Sequence, residues 1–408
     1  MVSLPPSIPG FPADDVVPVP GELLDAPIVA PPPPPPPPPV LAPVGWLLNA
    51  AGAGVQGRLF RDVLPWVPGM RTAVASGVAT GNPSALSRLP YASRSGWHLL
   101  GQQQADGTWP AGWLSVPNGT TLTGVGTIPA YRRLLELGWD AESPALQSTR
   151  RALYRLLAED LDPTVLAELR PPDDDEELVL HGRRQLREAA AAALAHAGYE
   201  ADPRLRGAAR RLVDRVHAFL RSPLAAKPWI RQGNQHVLHP DAAPPSFHLL
   251  AMLAHMPSFC SEQGEFMDRL FIWLTQPWPR QSAVQVIGDS VSDQPELALG
   301  DFLATRTALD SDIVSALAWL EIVARLGFVS RHEGWGRLLD RMLGDRDRHG
   351  VWTPPRSVVM PVHVPVWAWP AAPLFDAAWE DAQRGWSVDV TFRLVLTAQL
   401  AGRELLLG

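Results

Sequence analysis

An all-α protein built from repeated helical hairpins is predicted by two features of the chain. The first is a pattern that recurs along residues 84–408: an apolar helix, then a glycine beside an aromatic residue, then a second helix. The second is a difference within each pair, because the first helix is apolar nearly all round and the second is amphipathic. A proline-rich segment precedes this helical part of the chain.

Residues 1–44 are predicted to be a disordered, proline-rich head. The run from Pro31 to Pro39 favours an extended polyproline II rod, which has no internal hydrogen bonds. We expect it to act as a solvated spacer, with docking to a proline-binding protein partner as the alternative. Residues 45–83 are predicted to form one or two short helices that lead into an α-helical domain of residues 84–408.

The predicted hairpins turn at four places, which are Gly138-Trp139, Gly198-Tyr199, Met256-Pro257 and Leu326-Gly327-Phe328. Glycine suits the left-handed residue that ends a helix, and Pro144 and Pro203 suit the first turn of the helix that follows. Because a helix that is apolar on all sides must be buried on all sides, we expect an inner ring of helices within an outer ring. About six such hairpins fit the domain and predict an α/α toroid, with an open solenoid as the alternative.

Composition narrows the classes of partner and location. The net charge is −7 and the basic residues form no stripe, which argues against a nucleic-acid partner. Cys260 is the only cysteine, so an intrachain disulfide and a cysteine-rich zinc site are excluded. The sequence has neither the pattern of a secretory signal nor an apolar stretch long enough to span a bilayer. We therefore expect a cytoplasmic protein without an integral membrane segment.

Residues 96–109 read GWHLLGQQQADGTW and carry the most specific motif of the chain. The segment resembles the QW motif of squalene–hopene cyclase-type proteins, within the terpene cyclase and prenyltransferase-like superfamily of α/α toroids. The matching residues are Gln102, Gln103, Asp106, Gly107 and Trp109, and a weaker copy at residues 338–352 keeps Gly350 and Trp352. In that family the motif ties neighbouring hairpins together, so the resemblance implies a structural role for these residues.

The resemblance also implies a catalytic acid. Class II terpene cyclases protonate an alkene with an aspartate of a DxDD motif, and residues 309–316 (LDSDIVSA) are the nearest match here. Asp310 and Asp312 match the first and third positions, whereas Ile313 replaces the last acid. In the catalytic interpretation these acids lie in a central apolar cavity that keeps one of them protonated. In the alternative interpretation they cap the helix that begins at Ile313.

Other motifs favour structural interpretations. The acidic run of residues 173–177 and the set Asp289, Ser292 and Glu296 resemble the two magnesium motifs of class I terpene synthases. Gly288 and Pro295 break the second motif, so a charged loop is the preferred interpretation. Cys260 lacks the neighbouring aspartate of the protein prenyltransferase zinc site, and His236 and His239 lack a third ligand. The sequence therefore predicts no metal and no cofactor.

Four tryptophans, Trp319, Trp367, Trp369 and Trp386, are predicted to line a substrate cavity, with packing between hairpins as the alternative. The resemblance then implies a protein that acts on or binds an isoprenoid or another apolar small molecule. Two further hypotheses stay open: a noncatalytic toroid that binds a lipid or protein partner, and a carbohydrate-active protein with a pair of carboxylates. Whether the chain is an enzyme is left open, because the acid motif is incomplete.

Overall fold

The computed structural model describes residues 37–68, 70, 88–119, 121–157, 176–232, 235–279, 283–287, 290–292, 296–304, 312–355, 363–372 and 382–408. Most of the predicted proline-rich head lies outside these residues, and so do residues 173–175 of the acidic run. Asp289 and Asp310 lie outside them as well.

Within the described residues the protein is mostly helical, with thirteen α-helices and six short strands. The helices are α1 (Val44–Ala50), α2 (Ala53–Arg58), α3 (Arg94–Leu100), α4 (Thr127–Glu136), α5 (Pro144–Leu157), α6 (Glu176–His196), α7 (Pro203–Arg221), α8 (Phe247–Leu253), α9 (Pro257–Ser261), α10 (Gly264–Leu274), α11 (Ile313–Arg325), α12 (Glu333–Gly344) and α13 (Ala382–Leu400). A mostly helical fold is therefore confirmed, whereas the small sheets were not predicted.

The helices differ in burial as the hydrophobic pattern indicates. Every residue of α4 is buried, and so is every residue of α11 from Ile313 to Ala324. The second helix of a pair buries one stripe only. In α7 this stripe consists of Leu205, Ala208, Ala209, Leu212, Val213, Val216, Phe219 and Leu220. This division between fully buried and half-buried helices follows from their sequences.

Five well-buried helices contact one another in a closed order. Helix α6 packs against α4 and α8. The rings of Phe247 on α8 and Trp319 on α11 lie 5.9 Å apart. Arg393 on α13 lies 3.3 Å from Glu321 on α11 and 3.3 Å from Glu136 on α4. Each of these helices therefore contacts the next, and α13 contacts α4.

The predicted glycines end three of the buried helices. Gly138, Gly198 and Gly327 follow α4, α6 and α11 with φ values of 86°, 86° and 73°. At each position the glycine and the following aromatic residue donate backbone hydrogen bonds to carbonyl oxygens of the last helical turn. A left-handed residue closed by two such bonds is the Schellman ending that glycine favours.

Two small sheets complete the fold. Strands β2 (Trp229–Gln232), β3 (Gln235–Leu238), β4 (Ala283–Ile287) and β5 (Ser290–Ser292) form one sheet in that order, in which only the β3–β4 pair is parallel. The other sheet pairs β1 (Val40–Ala42) with β6 (Leu405–Leu407) in parallel, with Val40 opposite Leu405.

Strand β1 corrects the predicted boundary of the head. Val40 and Ala42 are buried, and their strand packs against α13 as well as β6. Apolar residues at alternate positions of a strand face the core together. This alternation is hard to recognise in the sequence because prolines surround it. Residues 40–44 therefore belong to the folded body and not to a disordered segment.

Candidate functional site

The QW-like segment forms a junction between hairpins. Gln103 Nε2 donates to the backbone oxygen of Ala145 on α5 at 2.9 Å and to Thr149 Oγ1 at 3.0 Å. The indole Nε1 of Trp109 donates to the Leu99 oxygen of α3 at 2.8 Å, and its backbone N–H donates to Thr127 Oγ1 of α4 at 3.0 Å. The segment thus joins three helices.

Gln102 and Asp106 hold the same junction from its two ends. Gln102 Nε2 donates to the Leu122 oxygen at 2.9 Å. Asp106 accepts hydrogen bonds from the backbone and the hydroxyl of Thr108, which fixes the turn and lowers the pKa of the carboxyl. Gly107 completes the turn with a φ of 87°.

The weaker copy has a similar geometry. The backbone N–H of Trp352 donates to Thr391 Oγ1 at 2.9 Å, as that of Trp109 does to Thr127. Gly350 has a φ of 78°. Arg346, at the position equivalent to Gln103, donates from Nη1 to the Leu41 oxygen of β1 at 2.8 Å. This second junction therefore ties β1 to the helical body.

The residues predicted as catalytic acids are only partly described. Asp310 lies outside the described residues. Asp312 is at the N-cap position of α11, but its side chain makes no capping hydrogen bond. A side-chain cap is therefore wrong for Asp312, because this residue has φ and ψ of −95° and 12° in place of the extended conformation that capping side chains need. For Asp310 it stays a prediction.

The four tryptophans predicted to line a cavity are all buried. Trp367 stacks on Phe247 with ring centroids 4.2 Å apart, and Trp319 meets Phe247 edge-on. The guanidinium of Arg133 lies 5.0 Å from the ring of Trp369. None of the four borders the cavity that is lined by His196 and His255. All four pack within the core.

That cavity has a volume of about 850 Å³ and lies where four buried helices end. It is bordered by Gly138 after α4, by Gly198 after α6, by His255 after α8 and by Arg325 at the end of α11. Its polar lining includes His196, His255, Arg58 and Arg325, together with Arg61, Asp62, Arg88 and Asp140. Its apolar lining includes Phe60, Pro90, Tyr91, Leu135 and Trp139.

Two adjacent histidines form part of the polar lining. The ring centroids of His196 and His255 lie 4.6 Å apart. The Nδ1 of His255 lies 2.9 Å from the Ala251 oxygen, so the neutral ring carries its proton there and keeps a lone pair on Nε2. His196 Nε2 lies 3.3 Å from Glu136 Oε1, and its Nδ1 has no hydrogen-bond partner in the described part of the chain.

Burial keeps both histidines neutral. It lowers the pKa of His255 to about 3, and it lowers the pKa of His196 well below its ordinary value. The positive charges of Arg132, Arg58 and Arg325 act on His196 in the same direction. The nearby carboxylate of Glu136 does not offset them, because it is already engaged by two arginines.

Those arginines belong to a buried ion-pair network behind the histidines. Glu136 accepts from Arg58 Nη1 and from Arg393 Nη2, and Arg393 also donates to Glu321 at 3.3 Å. Burial alone would raise the pKa of Glu136, but Arg58 and Arg393 outweigh it and lower the pKa to about 2. Arg325 donates from Nε and Nη2 to one oxygen of Glu321. The network is therefore fully charged at neutral pH.

Arg132 is the exception within this region. It is 7% exposed, and its Nε is buried without a hydrogen-bond partner among the described residues. Burial lowers the pKa of its guanidinium, against the more distant attraction of Glu136 and Glu321. A buried cation without a direct partner is costly, and such groups concentrate at functional sites.

The remaining predicted motifs are not assembled into a site. Cys260 is half-buried, and burial raises the pKa of its thiol to about 12. Ser292 lies in β5, and Glu296 Oε2 lies 3.1 Å from His248 Nε2. No three His, Cys, Asp or Glu side chains in the described part of the chain are placed to hold a metal ion. Among the described helices, none combines the length and the apolarity that crossing a bilayer requires.

The histidine pair and its ion pairs were not predicted from the sequence, although the sequence contains one indication of them. Charged residues interrupt helices that are otherwise apolar, such as Glu321 in α11 and Arg132 in α4. A charge on a helix that is buried on all sides must meet a partner or a ligand inside the protein.

The chain matches no known protein family, no curated protein and no solved structure.

Proposed function

We propose that this protein is an α/α toroid of the terpene cyclase and prenyltransferase-like kind that binds a small amphiphilic molecule, an isoprenoid or another lipid. The proposed site is the cavity at the ends of the buried helices. The closed order of contacts among α4, α6, α8, α11 and α13 supports a toroid. The two junctions at Trp109 and Trp352 support the resemblance in motif.

The observation that carries the proposal is the division of the cavity lining. Phe60, Leu135 and Trp139 offer apolar surface to the body of a ligand. The histidines and arginines of the polar lining offer donors and lone pairs to its other end. A purely apolar ligand would leave these polar groups desolvated and unpaired, which costs binding energy. We therefore place a polar group at one end of the proposed ligand.

Filling the cavity tests this proposal. Ala197 borders the cavity, so Ala197→Phe should occupy part of it and displace a bound molecule. We expect small molecules that co-purify with the parent protein, detected by mass spectrometry after denaturation, to be depleted in the variant. Ala105→Phe, at an exposed position outside the cavity, is the matched control and should retain them. Equal recovery from all three proteins would contradict the proposed site.

A catalytic role for Asp310 and Asp312 is a further part of the proposal, taken from the resemblance. If Asp312 is the acid, Asp312→Asn should abolish turnover of an isoprenoid substrate and leave the melting temperature unchanged. Turnover at the parent rate would reduce the proposal to a binding protein. Recognition of a proline-binding protein by the run from Pro31 to Pro39 stays a prediction beside it.

A further inference from the structure

The two adjacent histidines present ring nitrogens with lone pairs at the cavity. His255 donates from Nδ1 to Ala251, so its Nε2 is an acceptor. His196 has Nε2 beside Glu136, so its Nδ1 is the acceptor, and that atom is buried without a hydrogen bond. The side chain of His196 is only 9% exposed. Two adjacent acceptors that lack donors mark a place where a ligand brings hydrogen, or where solvent supplies a proton.

The charges around the two rings are mostly guanidinium groups. The groups that act on them are Arg58 of α2, Arg132 and Glu136 of α4, and Glu321 and Arg325 of α11. Arg61, Arg88, Asp62 and Asp140 also border the cavity, and Asp62 is paired with Arg58 and Arg61. Glu136 is shared between Arg58 and Arg393, and Glu321 is shared between Arg325 and Arg393. The Nε of Arg132 is buried without a hydrogen-bond partner among the described residues. At the rings the guanidinium charges therefore prevail over the carboxylates.

The C-terminal ends of the helices that surround the cavity repel an anion, but their effect is smaller than the attraction of the arginines. Each carries at most about half a negative charge, which falls off within the last turn. Three of the four ends are closed by Schellman-type hydrogen bonds at Gly138, Gly198 and Gly327, which satisfy their last carbonyl oxygens. Arg325 and Arg58 carry whole charges and border the cavity directly.

We infer that the polar lining binds an oxyanion, a carboxylate or a phosphate monoester, together with one proton that the histidine pair takes from solvent. An oxyanion beside two imidazole lone pairs is repelled until one ring is protonated. Once protonated, that ring and the guanidinium of Arg325 both donate charge-assisted hydrogen bonds to the anion. The inference rests on the proposed function, since it names the polar end of the ligand bound in the same cavity.

Binding and protonation are therefore coupled. In the free protein the histidines are neutral at pH 6 to 8, so the proton enters only with the anion. The affinity for the anion should fall about tenfold per pH unit over the range in which one proton is taken up. A neutral ligand brings no such dependence.

The test compares three probes that share one chain and differ in the polar end: decanoate, decyl phosphate and decanol. Calorimetric titrations of the full chain at pH 6, 7 and 8, in buffers of different ionisation enthalpy, give the affinity and the number of protons taken up. We expect decanoate or decyl phosphate to bind more tightly than decanol, with uptake of about one proton. The better of the two anions distinguishes a carboxylate ligand from a phosphate ligand.

His255→Gln should abolish the proton uptake and weaken anion binding at least about tenfold at pH 6, and it should weaken decanol binding less than anion binding. An unchanged melting temperature shows that the variant is folded. His98→Gln, at an exposed position on α3, is the matched control and should keep the proton uptake.

Equal binding of decanol and the anions, without proton uptake, would overturn the inference and leave the proposed function standing. Proton uptake that persists in His255→Gln and in His196→Gln alike would overturn it as well. Failure of all three probes to bind would overturn the proposed function and the inference with it.

Discussion

Trp109 is 2% exposed and holds α3 and α4 through one side-chain and one backbone hydrogen bond. Trp109→Ala removes a buried ring and the bond to the Leu99 oxygen, and it leaves a cavity at the junction. We expect the free energy of unfolding, measured by urea denaturation, to fall by about 3–5 kcal/mol.

Trp66→Ala is the matched control, because Trp66 is 64% exposed. Its free energy of unfolding should stay within about 0.5 kcal/mol of the parent value. If the two variants lose the same amount, the junction contributes nothing beyond an ordinary surface tryptophan, and its structural role is disproved.

Two glycine turns with nearly the same backbone conformation allow the cost of backbone strain to be measured separately from the cost of steric crowding. Gly107 and Gly198 have φ values of 87° and 86°. A Cβ at Gly198 meets no atom within 4 Å, whereas a Cβ at Gly107 would lie 2.6 Å from the Ser148 carbonyl carbon of α5. Gly198→Ala should therefore cost about 1–2 kcal/mol from the left-handed conformation alone.

Gly107→Ala should cost about 1–3 kcal/mol more than Gly198→Ala, because it also forces the turn away from α5. Chemical denaturation of both variants measures the difference. Equal losses would mean that α5 shifts without cost and that the turn does not fix its position.

The glycine and aromatic turns could be predicted because their information is local. A helix that ends at Gly138 is encoded within a few residues, and the left-handed conformation that it needs is a property of glycine itself. The apolar and amphipathic helices were predictable for the same reason.

The candidate site could not be predicted, because its parts are distant in sequence. Glu136 meets Arg58 across 78 residues and Arg393 across 257 residues. Nothing in the local pattern of either arginine specifies that partner. Only the packing of α2, α4 and α13 brings the three charges together, and the histidine pair depends on the same packing.

The free energy of unfolding of the whole protein should fall in mild acid. Burial lowers the pKa of His196 and His255, whereas histidines of the unfolded chain have a pKa of about 6.5. Below that pH the unfolded state binds more protons, so the free energy of unfolding should fall by about 1.4 kcal/mol per pH unit per histidine. For His255 this loss continues until the pH approaches about 3.

Glu136 adds to the same trend at lower pH. Its stabilising contribution is present above the unfolded pKa of about 4.3, and it is lost as the pH falls towards about 2.

Urea denaturation between pH 7 and pH 5 measures the loss of stability that is due to the histidines. His255→Gln should reduce this loss, and His98→Gln should not. A free energy of unfolding that is constant over this range would contradict neutral burial of the pair.

Truncation tests the corrected boundary of the folded body. Removing residues 1–36 should leave the melting temperature unchanged, as the proline-rich composition predicts. Removing residues 1–42 deletes β1 with the buried Val40 and Ala42 and should lower it by several degrees, since 1 kcal/mol corresponds to about 2–4 °C in a large domain. Equal melting temperatures for the two truncations would restore the boundary at Val44.

The parallel pairing of β1 with β6 also determines how the protein resists a mechanical load. A force applied through residues 38 and 408 pulls the two strands in opposite directions along their own axes. The bonds from Val40 to Glu404 and from Gly408 to Ala42 are then strained together, in shear, before any helix is reached. Pulling two antiparallel strands from one end would instead open their bonds one at a time. Unfolding by traction should therefore begin with the simultaneous rupture of this strand pair.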